Sequence, residues 1–279
     1  MAADPATTLT RRQFLAAGVG VAAMSYYGAS SNTLDTTHER LDPPADPPAA
    51  QSHVIRVALV TDVHGPHNWI GHQELVDEAN RFRPDLLCIA GDAVDDRGDE
   101  PLVSRYEGIQ ARLGKFATLG NWEYQGECNL RRLRQEYERA GVRLLVNDRV
   151  RLDDSHGPVD LLGLDDWRAG APDYSQVTAM DAAAPGAPRA IIMSHCPVAF
   201  DAITQIAHRP TVVLAGHTHG GQIAPLGLAL VLPEGSGRYV QGRYESADSR
   251  HTLYVSRGLG NSGPPFRIGA RPELALLEI

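Results

Sequence analysis

The sequence predicts an α/β chain with α+β character: two β-sheets packed face to face as a sandwich and flanked by helices. Three observations predict it. Short apolar runs recur, among them Val57-Ala58-Leu59-Val60, Leu86-Leu87-Cys88-Ile89 and Val212-Val213-Leu214, each bounded by turn signals. Such runs read as strands buried on both faces. Segments of helical apolar spacing separate the early runs, so the first half is βαβ-rich. The second half is β-rich with few helices.

The elements follow in chain order. Arg11 and Arg12, followed by Phe14 and Leu15, precede a weakly apolar stretch over 14–29. Paired arginines in that setting read as a twin-arginine export signal over 1–30, with the export machinery as partner. The stretch has 16 residues, short of the roughly 20 that span a bilayer comfortably. It is either cleaved near Ala29-Ser30-Ser31 or retained as a membrane anchor. The expected location is therefore outside the cytoplasmic membrane, periplasmic or on the cell-wall side, released or membrane-associated. Residues 31–52 read as a linker, because Asp42-Pro43-Pro44-Ala45-Asp46-Pro47-Pro48 makes an extended spacer. Within it, 33–41 could add a short edge strand.

Residues 53–279 form the expected domain. Helices are predicted over His72–Phe82, 101–113, 128–140 and 198–208, each with one apolar face. On the third, Arg131, Arg132 and Arg134 point outward, as a solvated face or a phosphate-steering one. Further strands are predicted at 116–119, 142–146, Val159–Gly163, 191–193, 251–256 and 274–279.

Seven potential metal ligands stand at the ends of these runs: Asp62 and His64 in T-D-V-H, Asp92 in A-G-D, Asn121 in L-G-N-W-E, His195 in M-S-H-C-P, and His217 and His219 in G-H-T-H-G-G-Q. The carboxyl ends of strands are where open α/β sheets build their sites. A two-metal hydrolytic site holds its ions about 3.5–4 Å apart, so one ligand must bridge them. A carboxylate bridges and an imidazole does not. Imidazole suits zinc, iron and manganese, while carboxylate and amide oxygens keep the site hard enough for manganese. The cofactors expected are two divalent ions, manganese, zinc or iron.

D-x-H, G-D, G-N-x-E, a lone H and G-H-x-H in that order resemble the calcineurin-like metallophosphoesterase superfamily. The G-H-T-H-G-G-Q form and the C-terminal Y-V-S-R-G-L-G with R-P-E resemble its bacterial branch exported by the twin-arginine route. The resemblance spans roughly residues 53–279. It implies a helix-flanked β-sandwich hydrolysing phosphate esters, with metal-bound hydroxide attacking phosphorus. It further implies that Asp62, His64 and His219 hold one ion, that Asn121, His195 and His217 hold the other, and that Asp92 bridges. Asp92, Asn121 and His217 are then the catalytic residues. One position departs from the family pattern: Trp122 stands where G-N-H-[DE] has a histidine that helps the leaving group. Indole offers a donor and no titrating group, and general acid–base help is worth about 10²–10⁴-fold. A leaving group that needs little help, such as one from a pyrophosphate, would tolerate this. His67, His72 and Tyr124 are the nearby alternatives for an acid.

Trp122, Arg168, and Arg257 and Arg267, which the family resemblance places near the site, are the candidate substrate contacts; the guanidinium of the three arginines suits bidentate phosphate binding. The apolar segment 226–232, directly after the last metal motif, is either core or a lip that admits lipid. The exported branch includes enzymes acting on lipid-linked nucleotides such as UDP-diacylglucosamine, which makes a lipid-linked substrate the alternative reading. A reading of another class is a non-catalytic wall- or lipid-binding protein with a relict metal site. The formal charge is −8, which argues against a nucleic-acid partner, since that needs a basic face. Of the three cysteines, Cys88, Cys128 and Cys196, at most two can pair.

Overall fold

The structure, a computed structural model, describes residues 32–41, 54–68, 70–95, 100–126, 128–155, 157–183 and 189–279. The expected leader over 1–30, and the linker from residue 42 onward, lie outside them.

The first sheet has the order β1-β12-β2-β3-β4-β5. Its strands are β1 (Asp35–Arg40), β12 (Glu273–Glu278), β2 (Arg56–Val60), β3 (Leu86–Ala90), β4 (Gly114–Thr118) and β5 (Val142–Leu144). The second has the order β10-β11-β9-β8-β7-β6. It comprises β10 (Gly242–Glu245), β11 (His251–Val255), β9 (Thr211–Ala215), β8 (Arg189–Met193), β7 (Val159–Gly163) and β6 (Asp148–Leu152). Strands β2 to β5 run parallel, as do β7, β8, β9 and β11. The sandwich expected from the apolar runs is the observed architecture.

Alternation along the strands builds three packed layers. Val57, Leu59, Leu86 and Cys88 meet Ile191, Met193, Val212 and Leu214 between the sheets. On the outer face of the first sheet, Ala58, Val60, Leu87 and Ile89 cluster with Leu75, Val76 and Ala79 of α1 (His72–Phe82) and, beyond the one-turn α2 (Trp122–Gln125), with Leu133 and Tyr137 of α3 (Leu130–Arg139). Across the second sheet, Leu162, Ile192 and Val213 cover Val177 and Met180 of α4 (Ser175–Ala183) and Phe200 and Ile203 of α5 (Ala199–Ile206). None of the three cysteines is in a disulfide. Among the described residues no helix is long and apolar enough to cross a membrane.

The short edge strand weighed for 33–41 is β1, which pairs in parallel with β12 over its full length. Two expectations change. The helix expected over 101–113 is instead a series of 3₁₀ turns at Glu100–Gly108. Its buried residues Val103, Tyr106 and Ile109 recur every third position, which is the 3₁₀ period rather than the α period. Strands β6 and β10 and helix α4 were not expected. The two strands are half-polar edges with no apolar run to announce them, and α4 buries only Val177 and Met180 fully.

Candidate metal centre

Each ligand candidate sits on a loop that leaves the carboxyl end of a strand. Asp62 and His64 follow β2, Asp92 follows β3, Asn121 follows β4, His195 follows β8, and His217 and His219 follow β9. Five of them adopt left-handed backbone: Asp62 (φ 49°), His64 (47°), Asp92 (51°), His217 (72°) and His219 (51°). Each such residue costs of order 1–2 kcal/mol, and such strain persists where surrounding structure over-determines it. Here the pins are backbone hydrogen bonds. Asp62 N donates to Gly91 O (3.1 Å), His64 N to Asp92 O (3.0 Å), and His217 N to the Asp62 carboxylate (2.9 Å).

The side chains converge in two groups. Asp62, His64 and His219 form one, and Asp92, His195 and His217 the other, with ligand atoms in each within 4.8 Å of one another. The His64 and His219 Nε2 atoms are 3.0 Å apart, and His217 Nδ1 lies 3.1 Å from His195 Nε2. Two nitrogens bound tetrahedrally to zinc at about 2.0–2.1 Å would be roughly 3.3 Å apart, so both spacings suit shared ions. Asp92 Oδ2 lies 3.1 Å from His195 Nε2 and 3.8 Å from His64 Nε2, between the groups.

The outward-facing ring atoms set the tautomers. His195 Nδ1 is 2.8 Å from Ala90 O, and His217 Nε2 is 2.8 Å from Glu234 O. With protons placed there, His195 Nε2 and His217 Nδ1 turn lone pairs into the centre. Asn121 Oδ1 is buried without a hydrogen-bond partner, which an amide oxygen tolerates when a cation takes it. The donor set thus fits two divalent ions.

Charge points the same way. Burial opposes ionisation of Asp62, but the His219, His195 and His64 imidazoles hold its carboxyl well below the usual range. Asp92 is likewise lowered against its burial, chiefly by His195. Burial, then His219, pushes His64 down to about 3, and burial, then His195, pushes His217 down to about 4. His195 is raised despite its burial by the Asp92 carboxylate. Two ionised carboxylates, with the His64 and His217 rings held neutral by burial, make a centre that attracts positive charge.

Glu123 carries a supporting role that motif reading missed. It is buried, and its carboxylate accepts from Asp92 N (3.0 Å), Gly120 N (2.7 Å) and Ala93 N (2.8 Å). It ties the Asp92 loop to the Asn121 loop. Burial and the Asp92 charge push it up to about 7, against the pull of the Gly120 amide. Its place two residues after Asn121 was the available signal.

The centre opens into a cavity of about 440 Å³ lined by Asp92, Asn121, His217 and His219, with Trp122 and Arg168 at its side. The other two arginines do not reach it. Arg267 is fully buried behind His219, with Nη2 3.1 Å from His219 Nδ1 and Nε donating to Gly260 O. Arg257 is held by Asp35 (2.7 Å) and Glu273 (3.3 Å) at the sheet edge. The expectation that these two contact substrate is corrected: they brace the wall. Of the alternative acids, Tyr124 donates to Asp165 (2.6 Å), His67 faces Asp95 (3.5 Å), and His72 is exposed on α1.

The pattern described as calcineurin-like phosphoesterase matches residues 55–221. The chain belongs to the calcineurin-like phosphoesterase family. An uncharacterized metallophosphoesterase of Campylobacter jejuni is 31% identical over 81% of this chain and 59% of its own length. The chain therefore spans about three fifths of that family member. Another, YkoQ of Bacillus subtilis, is 24% identical over 91% of this chain and 94% of its own. Among solved structures, the NAD nucleotidase of Haemophilus influenzae shares the phosphoesterase fold at 14% identity, with a TM-score of 0.52 over 75% of this chain and 45% of that one.

Proposed function

We propose that this chain is a dinuclear-metal-dependent hydrolase of phosphate esters. The observation that carries the reading is the pair of ligand groups with Asp92 between them, at the base of a cavity that also holds Arg168. Manganese, zinc or iron would fit the mixed imidazole, carboxylate and amide set. Two such ions, when bound, would neutralise phosphate charge and lower the pKa of water.

The chain's own groups do the rest. Asp62, His64 and His219 would hold one ion, Asn121, His195 and His217 the other, and Asp92 Oδ2 would serve both. Asp92 Oδ1 accepts from Trp122 N (2.8 Å), which fixes the carboxylate plane. Asn121 Nδ2, directed at Gln125 Oε1 (3.2 Å), turns the amide oxygen inward. Arg168 offers a guanidinium to the phosphate. Trp122 gives the leaving group an N–H but no exchangeable proton of ordinary pKa. That favours diester or anhydride substrates with good leaving groups. The Arg11-Arg12 leader supports action outside the cytoplasmic membrane.

A second reading, a lipid-linked phosphate or pyrophosphate as substrate, is favoured by the apolar wall Ile223, Leu230, Val231, Pro233 and Pro264 of the same cavity. A relative from Bos taurus, 29% identical over 83% of this chain and 54% of its own length, is described as a transmembrane protein with a metallophosphoesterase domain.

The test is hydrolysis of bis-p-nitrophenyl phosphate by the full chain, stripped and reloaded with manganese, zinc or iron. Turnover should return with metal, and Asp92→Asn should lose metal and rate together. Full turnover by Asp92→Asn with retained metal would sink the proposal.

A further inference from the structure

The segment from Ile223 to Pro233 has no charged or polar side chain. It does not fold into the core: Leu226 is 90% exposed, Leu228 69%, Leu230 64% and Val231 78%. Across the cavity, Phe266 is also exposed, on the 262–266 segment that Gln222 Nε2 holds through Ser262 O (3.1 Å) and Pro264 O (2.8 Å). Among the described residues, the remaining exposed large hydrophobics are Trp167, next to the cavity residue Arg168, and Leu130 on α3. Leu130 apart, the exposed large hydrophobics among the described residues are thus gathered around one mouth. Monomeric soluble proteins seldom concentrate them so.

Strand polarity adds a second, independent observation. Strand β12 is antiparallel to β2, and β1 is parallel to β12. The amino end of β1 therefore lies at the end of the sandwich where β2 delivers Asp62. Asp35 is fixed there by Arg257 (2.7 Å). The apolar sequence 14–29 ends six residues before Asp35, a span of at most about 20 Å. Chain entry and the apolar mouth share one end of the molecule.

We infer that the 223–233 segment and Phe266 form an interfacial lip that inserts into a lipid bilayer, with the metal cavity facing the headgroups. Residues 14–29, where retained, bring the same end to the membrane; the lip supplies the contact that orients it. Aliphatic side chains without charge, carried on a projecting loop, suit shallow burial at the headgroup–acyl boundary. This surface does not require the centre to be catalytic.

The experiment uses the full chain carrying Leu228→Trp, Phe266→Trp or, as a control, Ala247→Trp, with vesicles of equimolar phosphatidylcholine and phosphatidylglycerol. Ala247 is exposed on the turn before β11, which is parallel to β9, so it lies at the end of the sandwich opposite the loops after β9. Chain-brominated lipid should quench the new tryptophan at 228 and 266 and leave that at 247 unchanged. Circular dichroism checks that each variant is folded. Equal quenching at all three sites, or none at 228 and 266, would overturn the inference. A tryptophan at 228 already shielded without vesicles would also overturn it. Shielding that grows with protein concentration would then assign the lip to a second copy, and concentration-independent shielding would assign it to the chain's own leader. None of these readouts uses turnover, so failure here is distinct from failure of the proposed hydrolase.

Discussion

Replacing Glu123 by glutamine swaps one buried carboxylate oxygen for an amino group at the junction of two ligand loops. In the native arrangement Oε2 accepts from Asp92 N and Gly120 N, and Oε1 accepts from Ala93 N. Glutamine best keeps its oxygen toward the first two. Its NH₂ then faces Ala93 N–H, donor against donor, at a position buried from solvent. One unsatisfied buried amide costs about 1–3 kcal/mol. For a domain of this size each kcal/mol is worth roughly 2–4 °C, so Tm of the chelator-treated protein should fall by about 2–12 °C. The displaced Asp92 loop should also weaken manganese binding by about 10–100-fold, the usual cost of losing a group that positions a metal ligand. Differential scanning calorimetry and isothermal titration with manganese measure the two. A Tm within about 1 °C of wild type, together with unchanged manganese affinity, would refute the claim that these oxygens hold the loops together.

Two further outcomes follow from other residues. Trp122→His should raise the rate on alkyl phosphodiesters, by up to about 10²-fold, while changing little with p-nitrophenyl leaving groups; no gain on the alkyl substrates would remove the argument about a missing acid. Burial between the sheets pushes the Cys88 thiol from 9.0 up to about 12. A raised folded pKa means its contribution is whole below pH 9.0 and is lost as pH climbs toward 12, at up to about 1.4 kcal/mol per unit. Urea unfolding across that range should show a shallower alkaline decline for Cys88→Ala than for wild type, and parallel curves would contradict it.

The ligand positions were legible because each directly follows an apolar strand run, so local pattern alone placed Asp62, Asp92 and His217 at strand ends. The helices with a clean α-period face, His72–Phe82 and Leu130–Arg139, were legible for the same reason. The segment at 101–113 was misjudged because Val103, Tyr106 and Ile109 fit a period of three as well as they fit part of an α face. Arg267 and Arg257 were placed at the substrate by family resemblance, and because guanidinium suits phosphate. What buries Arg267 is a set of carbonyls, Gly260 O and Arg257 O among them, that meet only after β11 and β12 are in place. Glu123 stood in the L-G-N-W-E motif, but its role was overlooked because its partners are the backbone amides of Asp92, Ala93 and Gly120, which the motif does not announce.

Asp62, His64, Asp92 and Asn121 stand on the first sheet, whereas His195, His217 and His219 stand on the second. Neither half of the chain carries a complete set for both ions. A metal held at either group would therefore act as a rivet across the layer interface, and opening the sandwich would cost it ligands. Metal bound only by the closed form would stabilise it by mass action. Metal occupancy would then gauge how tightly the two sheets are shut, and scarcity of metal would be felt first as slackness between layers rather than as loss of either one.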